Sequence, residues 1–238
     1  EHGSTDAGNS LAAIEKLVFE DKEFTMGQLC DALDSNFEGH EGIRKLCLGI
    51  PKFGNDDDFV DGHVAWVLNE WGTEFRKLKN LRGRNASGGG SPLAAYIPKG
   101  REVAALPSGR LAGEPLAPAA CPRTGEDRKG ATAVFKSMGK VDGVDIPAGL
   151  SLTTRIDPDV FETRDGVKRM ADLIRTFVDQ KVFHVQFNMT STETLRAAQE
   201  KPQEYRDLMV KVAGYNAYFT QLSDELQNAI IDRTEHEL

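Results

Sequence analysis

The residues of this chain whose type and spacing bear on chemistry are few. They are three cysteines, a histidine in an apolar stretch, an acidic turn and one glycine inside an apolar run. Cys30, Cys47 and Cys121 are odd in number and widely spaced, and no CxxC pair occurs. Neither a zinc or iron–sulfur site nor a disulfide framework is expected, and reduced thiols fit a cytoplasmic setting. The acidic turn at 54–58 (GNDDD) fails the spacing of a calcium loop, because the fifth position counted from Asp56 is Val60. It predicts a helix cap with favourable dipole charge instead. His184, within VFHVQFN, reads as a buried histidine with its hydrogen bonds met. The chain has no GxxxxGK[ST], no GxGxxG and no GxSxG, so the phosphate-cradling loops and the nucleophile elbow are excluded. What is left is Gly214, inside VKVAGYNAYF at 210–219. A lone glycine in such a run marks a bulge or a close backbone approach, and the apolar neighbours predict a buried loop.

The elements that must position these residues fall into three segments. Residues 1–82 read as helical. Leu11, Ile14, Leu17 and Val18 recur at helical spacing, Thr25 and Gln28 form a capping box, and a long helix is expected over 59–81. Residues 83–130 are rich in Gly and Pro and predict a set of loops rather than regular elements. Residues 131–238 read as α/β. Strands are expected over 131–138, 150–156 and 182–188, and a helix over 166–180. A capping box at Thr190 and Glu193 is expected to open a helix reaching about Met209, and a last helix follows Ser223. Strand, helix, strand predicts parallel βαβ connections.

With 238 residues and 39% hydrophobic content the chain can bury a core without staples. Its net charge of −8 excludes the basic excess of a nucleic-acid binder and gives no attraction to an anionic membrane surface. No apolar run approaches the ~20 residues needed to span a bilayer. The opening EHGSTDAGNS has neither a basic nor an apolar signal region and no initiator Met, which predicts a mature product or an excerpt of a longer chain.

Several blocks together resemble the glycyl radical enzymes, the pyruvate formate-lyase-like group. VKVAGYNAYF followed by LSDELQNAIIDRTEHEL is similar to that family's C-terminal signature. SLAAIEKLVFE at 10–20, PKFGNDDDFVD at 51–61, ALPSGRLAGEPL at 105–116, KGATAVFKS at 129–137 and HVQFN at 184–188 resemble family blocks in family order. The resemblance implies an α/β fold, part of a barrel of parallel strands with surrounding helices that this chain leaves incomplete. The glycyl radical domain would close the 131–238 portion, with its radical loop at about 208–220. Gly214 would carry a stored backbone radical, with Val212, Ala213, Tyr215 and Asn216 as its neighbours. Loss of one α-hydrogen leaves a planar carbon radical delocalised into the amide on either side, and no Cβ clashes with that planarity.

The resemblance also implies partners. A radical-SAM activating enzyme with a 4Fe–4S cluster would install the radical; this chain would bind no metal or cofactor itself. The catalytic cysteine thiyl lies upstream in the family, and none of the three cysteines here has its context. The remainder of the barrel, in the same or a separate chain, would supply it for lyase or synthase chemistry on a small organic substrate. That chemistry covers C–C bond formation or cleavage, decarboxylation and dehydration. Family members often dimerise, which makes a homodimer an expectation. The alternative is a non-catalytic radical-bearing subunit, or a repair-type protein acting with a partner chain. Two departures bear on subfamily: Lys211 stands where Arg is common and Asn216 where Ser is frequent. Arg155, on the strand LSLTTRI, is a candidate to pair with a substrate carboxylate, and an ion pair at a strand end is the competing reading.

Overall fold

The computed structural model describes residues 3–90, 94–212 and 214–237. Helix α1 (Ser4–Ile14) runs on into a π-helical stretch, Glu15–Glu20. Helix α2 (Met26–Asp34) starts at the predicted capping box. The Gln28 amide donates to Thr25 Oγ1 at 3.2 Å, and the Thr25 amide donates to Gln28 Oε1 at 2.8 Å. Helix α3 (Glu41–Gly49) follows, then α4 (Asp58–Lys77). The acidic turn does cap α4, since Asp57 Oδ1 accepts from the Val60 amide at 3.3 Å. Helix α1 crosses α4 at Gly8, where a Cβ would lie 2.6 Å from Val64 Cα. Only a bare backbone lets the two helices meet that closely.

Among its described residues the Gly/Pro-rich segment contains one helix, α5 (Tyr96–Glu102), and is otherwise irregular. A buried cation organises part of it. The Arg110 side chain is 0% exposed and donates to the carbonyls of Gly100 (2.6 Å), Ala104 (3.0 Å), Val103 (3.3 Å) and Glu114. Carbonyls at the end of α5 and in the loop that follows it are thereby drawn onto one guanidinium.

Residues 131–138 are not a strand: α6 spans Ala131–Gly139. Only Thr132 and Lys136 along 131–138 are exposed, one helical turn apart, and the rest of that stretch is buried. A short segment apolar nearly all round carries no period to separate helix from strand. Then come β1 (Ser151–Ile156), α7 (Arg164–Asp179), β2 (His184–Asn188), α8 (Thr192–Glu200), β3 (Met209–Lys211), β4 (Asn216–Tyr218), α9 (Asp224–Ile231) and β5 (Glu235–His236). Helix α8 starts one residue later than predicted, with Ser191 as its cap, and ends at Glu200 ahead of Pro202.

The fold is α/β. Strands β2, β1 and β5 form a parallel sheet in that order, and β1–α7–β2 is the expected βαβ unit. Strands β3 and β4 form a separate antiparallel hairpin. The main apolar core gathers residues of α1, α4, α6, α7, β1 and β2, among them Phe53, Leu68, Phe135, Ile146, Leu152 and Ile156. A second cluster is built by α8, the hairpin and α9: Leu195, Ala198, Val210, Val212, Phe219, Ile230 and Ile231. The hairpin therefore belongs to a small unit with its own core, entered after β2 and left before β5. Among the described residues no helix is long and apolar enough to cross a membrane, and no cluster of His, Cys, Asp and Glu is placed to hold a metal ion.

Candidate functional site

Gly214 sits at the tip of the β3–β4 hairpin. The ladder pairs Met209 with Tyr218, Val210 with Ala217 and Lys211 with Asn216, and the Val212 amide donates to the Tyr215 carbonyl at 3.0 Å. Alternation along β3 turns Val210 (2% exposed) and Val212 (0%) into the second apolar cluster. Gly214, Tyr215 and Asn216 are exposed. The apolar run is thus a half-buried hairpin, and its tip is not the buried loop that composition suggests. Ala213 lies outside the described residues. Gly214 has φ +97°, in the left-handed region that L-residues rarely adopt. Space is not what selects glycine here. Among the described residues other than its chain neighbours, a Cβ would meet a single atom within 4 Å, Gln186 Nε2 at 3.9 Å.

Side chains from the sheet grip the hairpin through its backbone. Gln186 and Asn188, two apart on β2, project to one face. The Gly214 amide donates to Gln186 Oε1 at 3.1 Å. Asn188 Nδ2 donates to the Lys211 carbonyl at 3.2 Å, and the Lys211 amide donates to Asn188 Oδ1 at 3.4 Å. Arg233, just before β5, donates to the Lys211 carbonyl at 3.3 Å and the Val212 carbonyl at 2.7 Å. The Lys211 and Val212 carbonyls and the Gly214 amide, all on the nitrogen side of the Gly214 α-carbon, are therefore held by side chains of other elements. Sequence reasoning missed Gln186, Asn188 and Arg233. The available signal was polar residues at alternate positions of an otherwise apolar strand.

Arg155 is placed behind this grip, and not as an open receptor for a carboxylate. It is 1% exposed. Its Nη1 donates to the carbonyls of Ile231 (2.8 Å) and Arg233 (3.0 Å). Its Nη2 donates to the Thr190 carbonyl, Thr192 Oγ1 and Glu235 Oε2, each at 3.0 Å. In register it lies between Asn188 of β2 and Glu235 of β5, so it ties together the strands by which the chain enters and leaves the hairpin unit. Burial lowers the guanidinium pKa, and the Glu235 carboxylate counteracts that. The strand-end ion pair proposed for Arg155 exists, but it is buried rather than on the surface. Beyond it, Asp127 accepts from Thr234 Oγ1 and lies 3.0 Å from His236 Nε2, pinning β5 to the Gly/Pro-rich segment.

The thiols lie elsewhere. Cys30 is exposed on α2, Cys47 is buried on α3, and Cys121 is buried with its thiol donating to the Ser151 carbonyl at 3.4 Å. Burial, partly offset by Lys52, pushes the Cys47 thiol up to about 11. His184 is exposed at the start of β2 and is not the buried histidine that its apolar neighbours predict.

Two family models match the chain. One, described as glycine radical, covers residues 116–220, and the other, described as pyruvate formate lyase-like, covers residues 1–100. The chain is 40% identical to isethionate sulfite-lyase of Bilophila wadsworthia over 96% of its own length and 28% of that protein. It is 42% identical to the probable dehydratase YbiW of Escherichia coli over 99% of its own length and 30% of that protein. Among solved structures, the B12-independent glycerol dehydratase from Clostridium butyricum superposes with a TM-score of 0.94 at 37% identity. That match covers 99% of this chain and 30% of the dehydratase. The chain thus spans about 30% of the length of the relatives it matches.

Proposed function

The chain belongs to the glycyl radical enzyme family, and on that premise we propose that Gly214 stores a backbone radical for lyase chemistry on a small organic molecule. The observation that carries the reading is the setting of Gly214. It is a glycine at φ +97° on a hairpin tip, with polar side chains gripping the backbone around it. Homolysis of its Cα–H bond passes one hydrogen atom to an external carbon radical, which the activating radical-SAM enzyme supplies. The resulting centre conjugates with the amide nitrogen on one side and the carbonyl on the other. In the working enzyme it takes a hydrogen atom from a cysteine S–H, restoring glycine and leaving a thiyl that attacks substrate.

We place that cysteine outside this chain. Cys30 and Cys47 are carried by helices α2 and α3, and Cys121 is directed at a backbone carbonyl. The remainder of the barrel would bring the thiyl and most of the substrate pocket. The relatives include a sulfite-lyase and dehydratases, which favours elimination of a leaving group over C–C bond formation. The match of residues 1–100 to a barrel family favours part of an enzyme over a stand-alone repair protein.

The test is anaerobic activation of the protein by its activating enzyme, followed by electron paramagnetic resonance. A glycyl doublet that disappears in Gly214→Ala, and chain cleavage at Gly214 on admission of air, are the expected results. A doublet that persists in Gly214→Ala would overturn the assignment.

A further inference from the structure

We infer that Gln186 is a positioning residue for the Gly214 radical. This rests on the reading of Gly214 as the radical bearer. Conjugation across Cα requires the nitrogen lone pair and the unpaired electron to share one orientation, so whatever fixes the peptide on the nitrogen side of Gly214 governs the radical. Gln186 Oε1 accepts the Gly214 N–H at 3.1 Å. The same carboxamide lies beside Cα: among the described residues other than its chain neighbours, Gln186 Nε2 alone comes within 4 Å of the position a Cβ would take, at 3.9 Å. One residue thus holds the donor group of the conjugated system and covers one side of the reacting carbon.

The carboxamide is itself oriented. Gln186 Nε2 donates to Ser151 Oγ at 3.5 Å, which turns Oε1 toward the hairpin. Gln186 pairs with Thr153 across the β1–β2 ladder, so its backbone is fixed by the sheet and not by the exposed tip it serves. An acceptor on the N–H also raises electron density at nitrogen. That strengthens donation into the carbon-centred radical and favours its formation over its loss.

The test has two arms. In the unactivated protein, amide exchange at Gly214 is followed by NMR or mass spectrometry. Gln186→Leu is expected to accelerate it about fivefold, the factor that one ordinary hydrogen bond represents. Gln186→Glu keeps an acceptor and is expected to keep the protection. In the activated protein, Gln186→Leu is expected to change the α-proton splitting of the glycyl doublet and shorten the anaerobic lifetime of the radical, while Gln186→Glu leaves both near the parent values. Ser151→Ala, which frees the carboxamide without touching Gly214, shifts both readouts in the same direction by less. Unchanged exchange in Gln186→Leu overturns the contact. Faster exchange with an unchanged doublet and lifetime overturns its role in the radical. Absence of any doublet from the unsubstituted protein overturns the Gly214 assignment and this proposal with it, and the exchange arm then still reports whether the contact exists.

Discussion

Replacing Arg155 by Met tests whether the hairpin unit is fastened to the sheet by one buried cation. The substitution keeps the apolar stem and removes the guanidinium. The carbonyls of Thr190, Ile231 and Arg233 and the Thr192 hydroxyl lose the Arg155 donor, and the Glu235 carboxylate keeps only the hydrogen bonds from the Thr192 amide and hydroxyl. Breaking a buried ion pair from one side costs about 3–5 kcal/mol, a figure that already contains most of the stranded acceptors. A loss of about 4 kcal/mol is therefore expected, against the roughly 5–15 kcal/mol that holds a typical domain. The loss is local in origin, because every acceptor lies in the segments entering and leaving the unit. Arg155→Lys retains the charge on a compact ammonium that reaches fewer of the five acceptors, and recovers roughly half of it. Chemical denaturation with hydrogen–deuterium exchange reads both effects. In Arg155→Met, residues 190–236 lose protection at denaturant concentrations where the core around Phe135 and Leu152 stays protected. A stability loss below about 1 kcal/mol with unchanged exchange over 190–236 refutes the reasoning. A raised substrate KM in an otherwise stable variant returns Arg155 to the substrate.

Two further expectations follow from burial. At pH 8 and under native conditions, iodoacetamide should modify Cys30 alone, because Cys121 is enclosed and the Cys47 thiol sits at about 11. Rapid native labelling of Cys47 would contradict its packing. Glu126 is largely but not fully enclosed, and that desolvation, opposed by Arg123, holds its carboxyl above the ordinary 4.5. The proton is bound more tightly in the folded state. This group's contribution to stability is complete below 4.5 and is lost as pH rises through the raised value. Glu126→Gln should flatten the Tm profile across that interval, and a profile identical to the parent's would place the dependence on other groups.

The sequence exposed the amphipathic elements and hid the ones that are buried or very short. Helices α4 and α7 and strands β1 and β2 declare themselves because each has a polar face with a readable period. Helix α6 does not: with only Thr132 and Lys136 exposed along 131–138, its apolar run satisfies a strand as well as a helix. Strand β5 has two residues, too few for any periodicity, and is a strand only because β1 offers it a partner. The end of α8 is legible in Pro202, which bars the helix from running on to Met209. For the site, Gly214 stood out through its neighbours. The grip on it was only half legible: polar alternation along β2 marks Gln186 and Asn188, but the backbone groups that they and Arg233 hold lie 21 to 28 residues away, and no local pattern names them.

Storing a radical on a main-chain carbon sets two requirements that the fold treats separately. Conjugation needs the adjoining peptide held still, and on the nitrogen side of Gly214 Gln186 and Arg233 hold the backbone groups. Exclusion of dioxygen needs cover, and the described residues do not provide it: Gly214, Tyr215 and Asn216 face solvent. Under the proposed function, the remainder of the barrel has to supply that cover. The division is reasonable for a centre that one protein must charge and another part of the enzyme must shield. A unit with its own apolar cluster from Leu195 to Ile231 can be uncovered by releasing side-chain hydrogen bonds, each about 0.5–1.5 kcal/mol net. Had the hairpin shared the main core, the same exposure would have meant opening buried apolar surface at about 25 cal/mol per Å².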